Sequence, residues 1–540
     1  MHLKNANRKV RSRVLLVFVI TLVVYLSLPT RIYYGDGIGF ADDIESARGD
    51  PSLLFHANHL LYESVGYGAW KVVQIIYPAV RALSVLQIMD SFFGAASAAL
   101  LCYILYELFE SPYIAVWLSF GFAFSATWWK FSTDADSYTA STFFLIVSLL
   151  FLLPSKKGKP TVLALAHTSA MLLHQLAVLF YPACVIGLWY QTRHYPLKKR
   201  LANVAQYTIF AGFMTVAAYA FAFHFTHGNL DPEKMLSWAS SHSYNSAFSL
   251  EIGRNLITSA AGNAKLFMGG RVRFIQETWG HFIGWTSVAA MGFFVILILR
   301  LRQAGVPPLQ WPKVQFAPII RICVVWITVY MVFLVFWLPQ NTFYRLFYLP
   351  ALILLAGTFK ASLKTHSHSI LALAICFLFC INLSSSIYPA AQPALNRTEQ
   401  FARSMQVVWE TGTTVYGNVY EDENLTIKYF NPQVTWKKLW NRAPLEDLVP
   451  TLHQARASGK AMWFDLAALE KLSSEDPSFS EWLKANCRLG ETYQFMNAND
   501  LVGFVQLVPL NPEIRIKPVT RIDVDSPPDR EVGVELNGGA

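Results

Sequence analysis

The sequence predicts a polytopic α-helical membrane protein of about eleven transmembrane helices, followed by a small extracytoplasmic α/β domain. Three observations predict it. Hydrophobic residues make up 54% of the 540 and charged residues only 15%, where a soluble domain carries about 25% charge. Uncharged apolar runs long enough to cross a bilayer core recur through residues 1–389. Lysine and arginine gather in connections that this division puts on one side of the membrane. Six cysteines in a chain of this length make no disulfide framework, and five of them lie in apolar runs. Aromatics at 15% exclude a disordered chain.

The first run, residues 14–28, follows Lys4, Arg8, Lys9, Arg11 and Arg13. No small-residue cleavage site follows and further runs do, so it reads as an uncleaved first helix rather than a signal peptide. The next runs are 82–106, 113–129 and 138–153. Residues 161–190 are too long for one span and suit two short helices broken near His174-Gln175. Then come 201–225, 281–299, 316–338, 346–359 and 369–388. With 161–190 counted as two spans, the N-terminus, Lys156/Lys157/Lys159, Arg193/Lys198/Lys199/Arg200, Arg300/Arg302/Lys313 and Lys360/Lys364 all face the cytoplasm. Much of the formal charge of +9 is therefore an orientation signal, and nucleic-acid binding loses its support. The N-terminus is cytoplasmic and the long connections 30–81, 130–137, 226–280 and 340–345 face outward. The polar region 390–508 alternates strand-like with helix-like runs and reads as an outward α/β domain. Residues 509–540, rich in Pro, Asp and Gly, read as a flexible tail.

The chemistry gathers in the outward connections. The first begins Tyr34-Gly35-Asp36-Gly37-Ile38-Gly39-Phe40, with Asp42, Asp43 and Glu45 close behind. Carboxylates crowded at the edge of a low-dielectric slab repel one another, and one held there is suited to general-base work. The plain alternative is a helix cap and solvated acids. His56 and His59 share one side of a helical turn, but no third ligand follows at zinc spacing. The second turn, 128–138, holds Asp134-Ala135-Asp136 and Tyr138. Asp134 and Asp136 are weak candidates for a divalent ion, against polar turn caps; no cofactor is firmly implied. Trp128 and Trp129 suit an interfacial aromatic belt. His174 lines a cavity or caps a helix end. Outward Arg271 and Arg345 run against the charge bias, which an anion such as phosphate explains; outer-leaflet lipid headgroups explain it equally.

Five stretches together resemble the lipid-linked-sugar-dependent membrane glycosyltransferases of the GT-C superfamily, nearest to the protein O-mannosyltransferases and their bacterial relatives. Residues 35–40 resemble the Asp motif behind the first helix. Residues 56–62 resemble the His-containing segment after it. Residues 128–138 resemble a Trp…acid-x-Tyr turn with Asp136 at the acidic position. Residues 173–182 and 337–350 resemble later helix ends. The likeness covers about residues 10–390, and its motifs are short. It departs from the family where a second acid is often found two or three residues after the Asp: Ile38 and Gly39 stand there, and the acids arrive at Asp42 and Asp43.

The resemblance implies a GT-C-like fold and an inverting hexosyl (mannosyl-type) transfer in the cell envelope. The donor is a polyprenyl-phosphate sugar and the acceptor a hydroxyl on a protein or glycan. It implies Asp36 as general base, with Asp43 and Asp42 as its rivals. It implies substrate contacts from His56, His59, Asp136, Tyr138, His174, Arg271 and Arg345. Two other classes fit parts of the pattern: a lipid or polysaccharide transporter, and a non-catalytic assembly subunit. Transporters show repeated halves and broken helices at mid-membrane, whereas the polar residues here gather at one face. A cysteine introduced at position 36 should react with a membrane-impermeant maleimide from outside intact cells; labelling only after permeabilisation contradicts the assigned orientation.

Overall fold

The computed structural model describes residues 2–153, 159–241, 248–280, 283–304, 314–362, 368–417, 422–438, 450, 454, 457, 461–475, 477–497 and 500–510. Lys156, Lys157, Lys313, Lys364 and the tail from 511 lie outside the described residues. The chain divides into two compact units, Met1–Gln392 and Pro393–Ala540.

The first unit is helical. In chain order it contains α1 (His2–Ser27), α2 (Gly35–Ser46), α3 (Tyr62–Ile76), α4 (Ala82–Phe109), α5 (Pro112–Ala123), α6 (Ala126–Ser132) and α7 (Ser137–Leu152). There follow α8 (Pro160–Leu173), α9 (Tyr181–Gln191), α10 (Leu197–His227), α11 (Pro232–Ser240), α12 (Ile252–Phe267) and α13 (Val272–Thr278). The unit closes with α14 (Gly284–Ala304), α15 (Ala317–Phe336), α16 (Leu349–Ser362), α17 (His368–Asn382) and the short α18 (Tyr388–Ala391).

Among the described residues six helices are long and apolar enough to span a membrane: Val10–Ser27, Ala82–Phe109, Leu197–His227, Gly284–Gln303, Val314–Phe336 and Ser369–Ala391. The pair α6 and α7, bent by 111°, adds a broken span. With the four shorter apolar helices Pro112–Ala123, Pro160–Leu173, Gln175–Gln191 and Phe343–Phe359 the architecture holds about eleven crossings. The stretch 161–190 breaks where its length demands, with α8 ending at Leu173 and a 3-10 turn, Gln175–Phe180, leading into α9.

The expected span 113–129 is not one helix. The backbone leaves the helix at Phe124 and restarts at Ser125, so Trp128 and Trp129 ride on α6. Both indoles are fully buried, Trp128 against Phe122 and Trp129 against Phe124 and Phe379. They are core residues and not an interfacial belt. The α6–α7 bend drives their helix back into the bundle, an effect that hydropathy does not register.

Helix ends inside an apolar bundle leave carbonyls that must find donors. Here side chains from distant spans supply them. Tyr25 on α1 donates to the Ala123 carbonyl at 2.6 Å. Asn382, the last residue of α17, donates to the carbonyls of Phe124 (2.9 Å) and Phe267 (2.8 Å). Its own carbonyl oxygen accepts from the Gly269 N–H at 3.2 Å. Beyond Asn382 the helix widens into a π-turn, Leu383–Ile387, where the Ser385 carbonyl accepts from the Arg271 N–H. Gly270 makes that approach feasible: its φ is +99°, and a Cβ there would meet the Ser385 carbonyl oxygen at 2.3 Å.

The second unit contains α19 (Arg397–Val408), α20 (Asp422–Phe430), α21 (Leu466–Glu475) and α22 (Pro477–Asn486) with a five-stranded sheet. Its strands are β1 (Thr414–Gly417), β2 (Thr435–Lys438), β3 (Met462–Asp465), β4 (Cys487–Asn497) and β5 (Asp500–Pro509), in the order β2-β1-β3-β5-β4. The β2-β1-β3 pairings are parallel and the β3-β5 and β5-β4 pairings antiparallel. Met462, Phe464, Val505, Leu507 and Phe479 form its core.

Replacing Asn382 with alanine strips donors from two buried carbonyls, and should destabilise the first unit by ~1–3 kcal/mol. Thermal unfolding in detergent measures this; an unchanged midpoint contradicts the role.

Candidate active site

One face of α4 organises the site. Gln87, Asp90, Ser91 and Gly94 follow at i, i+3, i+4 and i+7 and so line one stripe of the helix. All four meet the turn between α6 and α7. Gln87 donates to the carbonyls of Thr30 (2.8 Å) and Thr133 (3.1 Å). Ser91 donates to the Ser132 carbonyl at 2.9 Å. Gly94 leaves room for Ser132, whose Oγ would lie 2.4 Å from a Cβ there. Asp90 is fully buried. It accepts from the Tyr62 hydroxyl (2.6 Å), the Asp136 N–H (2.6 Å) and the Thr139 hydroxyl (2.8 Å). A single carboxylate thus ties α3, the acidic turn and α7 to α4.

That turn in turn fixes the start of α2. The Asp134 carboxylate accepts from the backbone N–H groups of Tyr34 (3.1 Å) and Ala135 (2.9 Å). Gly37 lies so close to the turn that a Cβ would meet the Ala135 carbonyl oxygen at 2.1 Å. Asp36 stands in the first turn of α2, where the helix dipole favours negative charge, and is exposed. Asp136 is fully buried beside it, and neither of its side-chain oxygens accepts a hydrogen bond of good geometry. Burial pushes the Asp136 carboxyl well above the usual carboxylate range, and Asp36, Asp134 and Asp90 push it further. The pair is therefore one accessible carboxylate against one buried, proton-holding acid.

The acids of α2 separate by helical phase. Asp43 comes seven residues after Asp36 and lies on nearly the same side, whereas Asp42 is turned away. Asp36 and Asp43 both act on the buried Glu63 of α3.

The histidines form the next wall. His59 is buried in a 3-10 turn, Ala57–His59, its Nδ1 2.8 Å from the Ser137 hydroxyl. Its ring lies 4.7 Å from that of His174 and 5.8 Å from that of His56. His174 ends α8 and caps the next turn, its Nδ1 accepting from the Leu176 N–H at 3.1 Å. Tyr138 packs against His174, Phe343 and Tyr344.

The two predicted arginines sit apart. Arg271 caps the start of α13 and is exposed. Arg345 lies in the 3-10 turn Phe343–Tyr348 and is fully buried, donating to Tyr348 Oη (2.9 Å), Ser259 Oγ (3.0 Å) and the Pro339 carbonyl (2.7 Å). Its pocket exists because α12 carries Gly262, where a Cβ would lie 2.6 Å from Nε. Three other basic residues of the long connection already have acidic neighbours: Lys234 with Asp231, Arg254 with Glu251, Arg273 with Glu277.

The structure thus gathers Asp36, Asp43, Asp134, Asp136, Tyr138, His56, His59 and His174 around the α2–α4–α7 junction, with Asp42 facing elsewhere. Among the described residues no three His, Cys, Asp or Glu side chains form a metal-binding group. Asp134 is engaged by two backbone donors, one on each carboxylate oxygen. Asp90 and Glu63 went unremarked in the sequence. Asp90 is hidden in an apolar run, and an isolated acid there is itself the signal, because charge inside a span is costly.

No protein-family model matches the sequence, and no curated protein matches it significantly. The fold is similar to crystal structures of ArnT from Cupriavidus metallidurans, one bound to undecaprenyl phosphate and one in the apo state. The TM-scores are 0.57 and 0.58 at 11% identity, over 91% of this chain and 97% of ArnT. At that identity the likeness is one of architecture: this chain shares the fold of ArnT.

The close contact at Gly37 makes a paired prediction. Gly37→Ala forces α2 off the acidic turn and should cost ~1–3 kcal/mol. Gly39→Ala meets nothing within 4 Å, and should stay within ~0.5 kcal/mol of wild type. Equal unfolding midpoints for the two variants contradict the docking of α2.

Proposed function

We propose that the chain is a membrane glycosyltransferase that moves a sugar from a polyprenyl-phosphate carrier to an acceptor hydroxyl at the extracytoplasmic face. The observation that carries the reading is the exposed Asp36 at the start of α2, backed by the buried Asp136 and Asp90. Its support from outside the chain is the fold shared with ArnT, a glycosyltransferase whose crystal structure holds undecaprenyl phosphate.

In this reading Asp36 takes the proton of the acceptor hydroxyl. The freed oxygen attacks the anomeric carbon from the side opposite the carrier, and configuration inverts. The bond from that carbon to the phosphate oxygen breaks, and its electron pair leaves with the lipid phosphate. Such a leaving group needs positive charge rather than an acid. Arg271, exposed at a helix start, is suited to supply it. Arg345 is held by neutral acceptors, with its Nε buried and unbonded. It contributes a second positive charge from behind the site. His56, His59 and His174 line the sugar's approach, and Asp43 is the reserve base. The donor is of hexosyl type, as the resemblance to the O-mannosyltransferases implies. The acceptor is a protein or glycan. The basic connection Arg193–Arg200 supports a cytoplasmic N-terminus.

Transfer from a labelled polyprenyl-phosphate sugar in membranes tests this. Asp36→Asn should lose activity by about 10²–10⁴-fold, the scale of a general base. Wild-type turnover by that variant, with Asp43→Asn inactive, passes the role to Asp43. Wild-type turnover by both variants points to the assembly-subunit reading.

A further inference from the structure

Glu63 sits in the first turn of α3, outside the membrane-spanning helices, with none of its side chain reaching solvent. Both carboxylate oxygens are buried, and neither accepts a hydrogen bond of good geometry. The helix is held close to α2. One turn on from Glu63, a Cβ on Gly66 would lie 2.9 Å from Ile44, the residue after Asp43, and 2.5 Å from Leu86 of α4. The groups around Glu63 can be named by element. On α2 these are Asp43 and Asp36, both acidic. The segment before the 3-10 turn offers the His56 backbone N–H. On α4, Asp90 is engaged by Tyr62, Thr139 and the Asp136 N–H. The turn Pro51–Leu54 carries no titratable side chain.

We propose that Glu63 is a positioning residue of the candidate active site: a neutral acid packed behind α2 that spares Asp36 a further negative neighbour. This rests on the assignment of Asp36 as the base. The physical reason is slight compensation: one backbone N–H, from His56, against two acids. A buried carboxylate stays ionised when a cation or several donors surround it. The acids named around Glu63 do the opposite. Burial pushes its carboxyl well above the usual carboxylate range and Asp43 adds to this. The His56 N–H pulls the other way, and Asp36 again pushes upward. Of the three acids, the one most removed from water keeps the proton.

A neutral and an ionised Glu63 predict different things. Glutamine copies the shape of the neutral acid. If Glu63 is neutral at working pH, Glu63→Gln leaves the acid limb of the kcat/KM profile where it is. If Glu63 is ionised, the same change removes a negative neighbour from Asp36. The acid limb then moves to lower pH by about one unit.

The second readout needs no variant. Infrared spectra of the full-length wild-type protein, grown with carbon-13 glutamate, should show the carbonyl stretch of a neutral carboxylic acid shifted by the label. Among the described residues the other buried glutamate is Glu399, which accepts hydrogen bonds from Arg403. An unmoved acid limb together with the labelled band is the expected result. A limb shifted by about one unit, or no labelled band between pH 6 and 8, overturns the proposal. Asp36→Asn run beside these separates the two levels. Its wild-type activity sinks the assignment of the base, whereas its inactivity with a shifted Glu63→Gln limb sinks the role of Glu63 alone.

Discussion

The candidate site depends on one buried carboxylate. Asp90 lies inside a long apolar helix with three donors and no cation in its hydrogen-bond shell. Removing such a group from water costs several kcal/mol, which only well-made hydrogen bonds offset. Those bonds come from three separate segments: the Tyr62 hydroxyl, the Asp136 backbone and the Thr139 hydroxyl. Satisfying its two oxygens therefore requires α3, the α6–α7 turn and α7 to assemble around α4 in a single arrangement. The acidic turn sits against α2 because of that arrangement, and the exposed Asp36 is presented beside the buried Asp136 because of α2.

The electrostatics of the site are unusual in direction. Acids from α2, α3, α4 and the turn crowd together, while the basic residues examined as anion ligands stand on other elements. Arg345 is enclosed by a hydroxyl, a phenol and a carbonyl. Arg271 is exposed on α13, and Arg81 is committed to Glu45 at 2.9 Å. Like charges held this close keep protons that solvated carboxylates would lose. Asp36 is the most accessible member of the group.

Much of this was legible in the sequence. Hydropathy and charge parity located the spans, and the uncharged length of 161–190 forced the break at His174. The glycine-flanked Asp36 and the acid-x-acid turn marked two of the segments that the fold joins. Other parts could not be read there because they depend on packing. The run 113–129 is apolar throughout, and only the backbone shows that it breaks at Phe124, which turns Trp128 and Trp129 inward. Glu63 looks like a surface acid in a polar stretch until Gly66 brings α3 onto α2. Strands β2 and β4 were missed, since Thr435–Lys438 is short and polar and Cys487–Asn497 carries Arg488 and Glu491 within it. The asparagines of two N-x-T triplets, Asn396 and Asn424, are both buried. A three-residue pattern carries no information about access.

Asn382 has a consequence for the order of assembly. Its amide closes helix ends at Phe124 and Phe267, which precede it by 258 and 115 residues. A nascent chain emerging from the ribosome inserts those helices long before their last donor exists. The carbonyls must meanwhile be served by water or lipid headgroups, and the early bundle stays loosely closed until the final crossing arrives. Two helix ends of the membrane unit are thus closed by a residue from its C-terminal end.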